Sequence, residues 1–519
     1  MSSPVLAGAT LACVILSASS VHSDSIPSHP RDIRYPQRAA DLPSIENRRV
    51  VLASGPVVYL APDHTLPLVE ISMALPVGTF LDPQDHAGLA FVTGGQLRRG
   101  GAGDLDAEKF DDRVDDLGVK IDTLAGSSRS GASLSVPSWA LEDGLDILFA
   151  MLTSPRFQED RLEVARSNLL ESMSRRNENA LDVLDREWSW LMYGEQHFTT
   201  HPLTPQGLNA IDHHDLASFH RKFWRPERMI LAISGDFERE PILASLEARF
   251  GRIDPNGQSD QTSYWPPPSP PPGSGPGLFH YEFDAPQAKV IVGHRFPSLL
   301  DWQSPDRFTI EVVAEILGGR GAISRIAGRL RTAEGLVYRA SVSLDPGHLW
   351  PGELQIFFDT KNSSVARAVE LLIEEVERIR TEPVHPRELE VVKQSLLARL
   401  RLRFDTAEEV AGYFAEDELL GRPHEYWQMY IDSVLEVSVA DVQRAAASFL
   451  RPPSFSYLVV GRWREISAGA PAEESTLEAI TGHRVTHLAA RDPFTLEGQP
   501  VQDQGDEPDV DRSNGRFPR

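Results

Sequence analysis

The chain carries one run of residues twice, and this repetition limits the possible folds more than any other feature. "DLASFHRKFWRPERMILAISGDF" begins at Asp215 and "DVQRAAASFLRPPSFSYLVVGRW" at Asp441. Asp215/Asp441, Phe223/Phe449, Pro226/Pro452 and Gly235/Gly461 correspond at one offset of 226 residues. A second pair, "RLEVARSNLLES" from Arg161 and "ELEVVKQSLLAR" from Glu388, corresponds at 227. Two ungapped matches at nearly the same offset define a tandem duplication. The length of 519 residues, too great for one ordinary domain, agrees with this.

Each half mixes strand and helix patterns. "RRVVLASGPVVYLAPD" sets Ser54-Gly55 between two β-branched runs, as a hairpin does. "LVEISMALPVGT" alternates apolar and polar residues like a half-buried strand. "ALEDGLDILFAML" and "RLEVARSNLLESMSRR" repeat their apolar positions at three and four residues, as amphipathic helices do. A helix running to Arg-Pro and then a strand, "MILAISGDF" or "SYLVVGRW", closes each half. The expected fold class is α+β, a tandem pair of similar domains. Each is a mixed or antiparallel sheet with helices on one face. Between them "SDQTSYWPPPSPPPGSGPG" holds seven prolines and three glycines, which exclude a helix or central strand and favour an extended spacer. The expected division is a first domain at 45–258, a linker at 259–278 and a second domain at 279–467. Residues 468–519 are expected to form a disordered acidic tail.

A formal charge of −24 argues against nucleic acid, whose phosphates require a basic surface. The single cysteine, Cys13, lies in the apolar run at 4–18. That run is short for a membrane span and suits the core of a secretory signal, so residues 1–23 are expected to direct export. Residues 24–44 are then an N-terminal extension. Without cleavage the same segment would be a membrane anchor. Cleavage would leave no cysteine, and so no disulfide, thiol nucleophile or thiolate metal site.

"GLAFVTGGQLRRGGAGDLD" (88–106) starts like a packed helix, yet Gly94-Gly95 fall inside it. Each glycine weakens a helix by about 1 kcal/mol relative to alanine. The expectation is a helix that is short, bent or partly unwound. Histidines give little sign of a metal site. His197 and His201 stand four apart in a segment that Pro202 keeps from being helical, and Asp212 in "DHHDL" reads as a helix cap. His483 and His487 would share a face if "GHRVTHLAARD" were helical.

The hairpin, "DPQDHAGLA", the amphipathic helices, the Pro-terminated helix and "SGDF", duplicated about a linker, resemble the pitrilysin/insulinase zinc metallopeptidases over residues 45–467. The type is similar to the two-domain subunits of mitochondrial processing peptidase and its bacterial relatives. The resemblance implies a LuxS/MPP-like metallohydrolase fold; with residues 1–23 directing export, the expected location is the periplasm. In active members an inverted His-x-x-Glu-His motif follows "GLA"; the histidines hold Zn²⁺ and the glutamate deprotonates bound water. Here those positions are Phe91, Gly94 and Gly95. The third ligand position matches Glu171, one carboxylate against the usual three protein ligands. The resemblance therefore implies no catalytic residue, metal or other cofactor in this chain, and no activity from it alone.

"RIAGRLRTAEGLVYRAS" (325–341) matches a family pattern whose arginine and tyrosine bind the backbone carbonyls of bound peptide. The matching residues are Arg331 and Tyr338. A guanidinium fork and a phenol both donate hydrogen bonds without reading sequence. Loss of the motif with retention of this pair implies a non-catalytic, substrate-positioning subunit of a heteromeric zinc endopeptidase. Its partner would be a catalytic subunit carrying the intact motif and the zinc, and its substrate a peptide or unfolded polypeptide. The alternative is a structural or assembly protein of the same fold, as the core subunits of respiratory complex III are.

Overall fold

The computed structural model describes residues 42–253, 266–319, 324–470 and 475–499. From Leu42 onward the described residues form one compact unit. The residues on either side of Ser54-Gly55 pair as β1 (Arg49–Val51) and β2 (Val57–Pro62). β3 (Leu68–Leu75), β4 (Lys120–Ala125), β5 (Ser130–Pro137) and β6 (Ile230–Gly235) complete a sheet ordered β1-β2-β6-β3-β5-β4. Only β2 and β6 run parallel among these neighbours. The helices of this half are α1 (Leu89–Arg99), α2 (Ala107–Leu117), α3 (Leu141–Thr153) and α4 (Glu159–Ser174). They continue as α5 (Ala180–Tyr193), α6 (Pro205–Ala210), α7 (His213–Phe223) and α8 (Arg239–Phe250).

The second half repeats the plan. β7 (Gly277–Glu282), β8 (Gln287–Arg295), β9 (Val337–Asp345), β10 (Glu353–Lys361), β11 (Ser456–Gly461) and β12 (Val485–Leu488) form a sheet ordered β12-β7-β11-β8-β10-β9. Its helices begin with α9 (Asp306–Gly318) and α10 (Arg325–Ala327), which runs into a π-helical turn, Gly328–Ala333. Then follow α11 (Val365–Thr381), α12 (Pro386–Leu402), α13 (Ala407–Leu420), α14 (Tyr426–Glu436), α15 (Val439–Phe449), α16 (Trp463–Ala468) and α17 (Leu477–Thr481). The repeated sequence becomes repeated local structure. Asp212 and Asp215 form a capping box on α7, and Ser438 and Asp441 form the same box on α15. Pro226 and Pro452 then open matching 3₁₀ turns into β6 and β11.

Each sheet buries one face against helices of its own half. Val69, Ile71, Met73 and Leu75 of β3 join Leu134 and Val136 of β5 in a core with Leu145, Leu148 and Leu152 of α3. The opposite face is covered by a helix from the other half. Ala180, Val183, Leu184, Trp188 and Leu191 of α5 pack on Ile291, Leu458 and Val460 of the second sheet, and Trp188 Nε1 donates to Glu353 at 3.0 Å. In return α13 lies on β2 and β6. There Phe414 stacks on Tyr59, whose hydroxyl donates to Glu418 at 2.7 Å, while Arg49 grips Glu418 through two 2.9 Å bonds. β11 is consequently buried at every position, as a central strand between two layers must be.

The expected disordered tail requires correction. Within 468–519, the described residues 475–499 are ordered. β12 pairs parallel with β7, Leu496 is buried, and Arg491 lies over Trp190 of α5 at 4.1 Å and bonds to Glu187. The reason is an edge. β1 shields β2 in the first sheet, but prolines precede β7 and cannot donate to a ladder. The C-terminal segment supplies the missing sixth strand. The described part of the linker also packs, with Ser274 donating to the carbonyl of Leu191 at 2.8 Å. Among the described residues no helix is long and apolar enough to cross a membrane. The apolar run at 4–18 lies outside the described residues, as do 1–41 altogether.

Candidate functional site

α1 begins where Gly88 takes a φ of +93°, a conformation that favours glycine. The Asp82 carboxylate accepts hydrogen bonds from the amides of Gly88 and Ala90, at 2.7 and 2.8 Å, satisfying donors that a helix start leaves open. Burial pushes this carboxyl up to about 7, against the opposing pull of the amides. Anchored in this way, α1 runs unbroken from Leu89 to Arg99, so the expectation of a short or unwound helix is corrected. The glycines have a packing explanation instead. A Cβ on Gly94 would stand closer than 3.0 Å to the Cβ of Ala125 on β4, and Thr123 donates to the Gly94 carbonyl at 2.7 Å. Gly94 thus lets helix and edge strand touch. Gly95 faces open space.

Phe91 (47% exposed) and Gly95 border a cleft of about 340 Å³ between α1, β4 and α4, with Gln96, Leu124, Asn168 and Leu169. Glu171 does not line it. Its carboxylate lies in a neighbouring depression, paired with Arg175 one turn along α4. Zinc does not fit these residues. Phenylalanine and glycine offer no donor, and a side chain at 94 would collide with β4. Among the described residues no group of three or more His, Cys, Asp or Glu could hold a metal ion.

Several other histidine segments have places in the fold. Asp212 caps α7, as expected, and His213 opens that helix. His197 bonds to Thr199 and to the carbonyl of Pro268 in the linker. His487 lies on a strand, β12, so the helical reading of His483 and His487 is corrected. It faces His280 of β7 with the two Nδ1 atoms 2.9 Å apart. His280 Nε2–H donates to the carbonyl of Gly461, which leaves its Nδ1 to accept from His487. Burial pushes His280 down to about 4.

Arg331 and Tyr338 do come together. Arg331 is exposed on the π-helical turn, and Tyr338 is 81% exposed near the start of β9, the edge strand of its sheet. The Arg331 guanidinium carbon lies 5.9 Å from the Tyr338 ring centroid, a cation–π distance. Arg331 makes no ion pair among the described residues. A phenol this open on an edge strand has no packing role. The turn between them closes through Gly335 at a φ of +65°, with Leu336 donating to the carbonyl of Leu330.

One set of polar residues escapes sequence reasoning entirely. Arg307, Glu311, Arg403 and Arg422 surround one cavity in the second half, yet they span more than a hundred positions with no shared motif. Only the duplication could have directed attention there, because α9 and α12 are the counterparts of α1 and α4.

A duplicated α/β chain that exchanges helices between its halves has the architecture expected from the resemblance to two-domain metallopeptidases, without zinc donors at Phe91, Gly94 and Gly95. Residues 210–396 match the model of the peptidase M16 inactive domain. This match supports the resemblance to the M16 peptidases that the motifs carry. A Mycobacterium leprae protein named as an uncharacterized zinc protease is 23% identical over 342 residues, covering 65% of this chain and 74% of that one. The mitochondrial-processing peptidase subunit beta of Dictyostelium discoideum is 21% identical over 431 residues, covering 80% and 89%. The fold is shared with the crystal structure of a peptidase M16 inactive domain from Pseudomonas fluorescens. The TM-score is 0.69 at 19% identity, covering 80% of this chain and 97% of that one.

Proposed function

We propose that this chain is the non-catalytic, substrate-positioning subunit of a heteromeric M16 zinc endopeptidase. A partner with an intact His-x-x-Glu-His motif carries the zinc and the base. This chain holds the backbone of a peptide or unfolded polypeptide through Arg331 and Tyr338. The observation that carries the reading is the contrast between its two halves. α1 is fully formed but presents Phe91, Gly94 and Gly95, whereas Arg331 and Tyr338 are exposed and in contact. An exposed guanidinium without a carboxylate partner is free to donate its fork to carbonyl oxygens, and the ring beside it restricts its rotamers. Both residues sit at or beside an edge strand, where an extended chain finds open backbone groups. We also propose export to the periplasm, directed by residues 1–23 as a cleaved signal or as an uncleaved membrane anchor. N-terminal sequencing of the exported protein tests this.

The test of the main reading is co-expression with an M16 protein of the same genome that carries the intact motif. The complex should contain zinc and cleave unfolded polypeptide; this chain alone should do neither. In the complex, Arg331→Ala with Tyr338→Phe should lower turnover roughly 10- to 100-fold. That is the range for losing hydrogen bonds worth about 1.5–3 kcal/mol that involve a charged group. Association and thermal stability should stay unchanged, because both side chains are exposed. Unchanged turnover would refute the positioning role and favour an assembly role.

A further inference from the structure

The duplication gives the Phe91–Gly95 cleft a counterpart in the second half. α9, α12 and β9 are related to one another as α1, α4 and β4 are, and with α14 they enclose a cavity of about 470 Å³. The first cleft lacks the side chains that would hold zinc, whereas the second gathers several arginines and carboxylates. Arg307, in the first turn of α9, is buried. It donates to the carbonyls of Leu300 and Gly347 and approaches Nδ1 of His348 at 3.4 Å, with no carboxylate in ion-pair reach. Arg403 lies over the rings of Trp427 and Tyr413, at 5.3 and 5.6 Å, and likewise has no carboxylate partner among the described residues. The remaining cations are neutralised in place. Arg399 bonds twice to Glu315 at 2.7 Å, and Arg422 bonds to Asp417 at 2.9 Å. Glu311 also lines the cavity and makes no hydrogen bond or ion pair with any described residue.

Charged groups of both signs thus line one pocket beside an aromatic wall of Tyr426, Trp427 and Tyr430, and Arg307, Arg403 and Arg422 all attract the Glu311 carboxylate without bonding to it. Arg403 is exposed and Glu311 half-buried, so a ligand can reach both, and covering them costs free energy unless its own charges compensate them. A phosphate dianion is a poor partner, because Glu311, Glu315 and Asp345 on the same lining repel it. A molecule with one carboxylate and one ammonium group satisfies both ends. The volume lies within the range of small-molecule sites, about 300–1,000 Å³. We propose that this cavity binds a small zwitterion, a free α-amino acid or a dipeptide, with its carboxylate on Arg403 and its ammonium on Glu311. Tyr426 and Trp427 wall the remainder of the molecule.

Calorimetric titration of the full-length chain with the twenty free L-amino acids, a set of alanyl dipeptides and inorganic phosphate tests this. At least one zwitterion should bind with Kd below about 1 mM. Its amide, which lacks the carboxylate, and its N-acetyl derivative, which lacks the ammonium, should each bind about tenfold more weakly or worse, 1.4 kcal/mol. Arg403→Gln should abolish the penalty on the amide, and Glu311→Gln the penalty on the N-acetyl derivative. Tighter binding of amino acids than of dipeptides, or the reverse, identifies the source. The proposal is overturned if no zwitterion gives saturable heat at about 10 mM, if phosphate binds more tightly, or if neither variant changes the discrimination. Should Glu311→Gln not fold, the exposed Arg403→Gln variant and the two derivatives decide alone. The Arg331→Ala/Tyr338→Phe chain should bind as the unaltered one does, which separates this site from the positioning role.

Discussion

Replacing the two adjacent glycines of α1 by alanine, one at a time, should change stability in opposite directions. A helix-interior glycine costs about 1 kcal/mol relative to alanine, so either replacement begins with that gain. At Gly95 nothing lies within 4 Å of an added Cβ, and the position is exposed. The gain survives, and Gly95→Ala should stabilise by about 0.8–1 kcal/mol. At Gly94 the added Cβ meets the Cβ of Ala125 closer than 3.0 Å, and neither atom is the end of a flexible side chain. Overpacking of this kind costs about 1–3 kcal/mol, so Gly94→Ala should range from neutral to about 2 kcal/mol destabilising. Thr123 resists the relief that would come from sliding α1 away, because its hydroxyl bonds to the Gly94 carbonyl. Urea unfolding followed by circular dichroism measures the difference, with Ala125→Gly added to each variant. Removing the opposing Cβ should rescue Gly94→Ala and leave the effect of Gly95→Ala alone, a coupling of about 0.5 kcal/mol or more. Equal stabilisation by both alanines, or no rescue, would refute the packing account of the pair.

Rebuilding the motif with Phe91→His, Gly94→Glu and Gly95→His should not give a stoichiometric zinc site by metal analysis, since the glutamate would collide with β4 and Glu171 is engaged elsewhere; zinc bound one to one contradicts this. Trp188→Ala on the exchanged helix should cost about 3–5 kcal/mol in denaturant unfolding, the usual loss for a buried aromatic; a change below about 1 kcal/mol would mean that α5 is not integral to the second sheet. His280 is held down at about 4 against 6.5 when free, so on acidification the unfolded chain takes up that proton first. Its contribution is complete above pH 6.5 and is lost as the pH falls toward 4; the slope of unfolding midpoint against pH in that window should be shallower in His280→Asn than in the unaltered chain, and equal slopes would refute it.

Much of the fold is legible because its signals are local. The hairpin around Ser54-Gly55, the cap at Asp212 and the turns at Pro226 and Pro452 each depend on a few neighbouring residues. The same locality explains two failures. Helix propensity and the lost motif positions say nothing of Ala125, against which Gly94 packs and which no periodicity links to it. β12 spans four residues, too few to show alternation, and its formation depends on the open edge of β7 more than two hundred positions earlier. Arg331 and Tyr338 are legible only through the resemblance of "RIAGRLRTAEGLVYRAS" to the family pattern, a short continuous stretch of sequence. The cavity around Glu311 and Arg403 was not found, because those residues meet only after α9 and α12 have packed.

The order of residues by itself determined the duplication, the mixed architecture of each half and the absence of zinc donors after Ala90, because these are properties of covalent sequence and side-chain chemistry. Tertiary structure alone decided that α5 and α13 cross to the opposite sheets, that β12 closes the exposed edge, and that charges of both signs share one cavity. Each of these depends on which distant surface buries the most apolar area or leaves backbone groups unpaired. That comparison is made only when the whole chain is assembled.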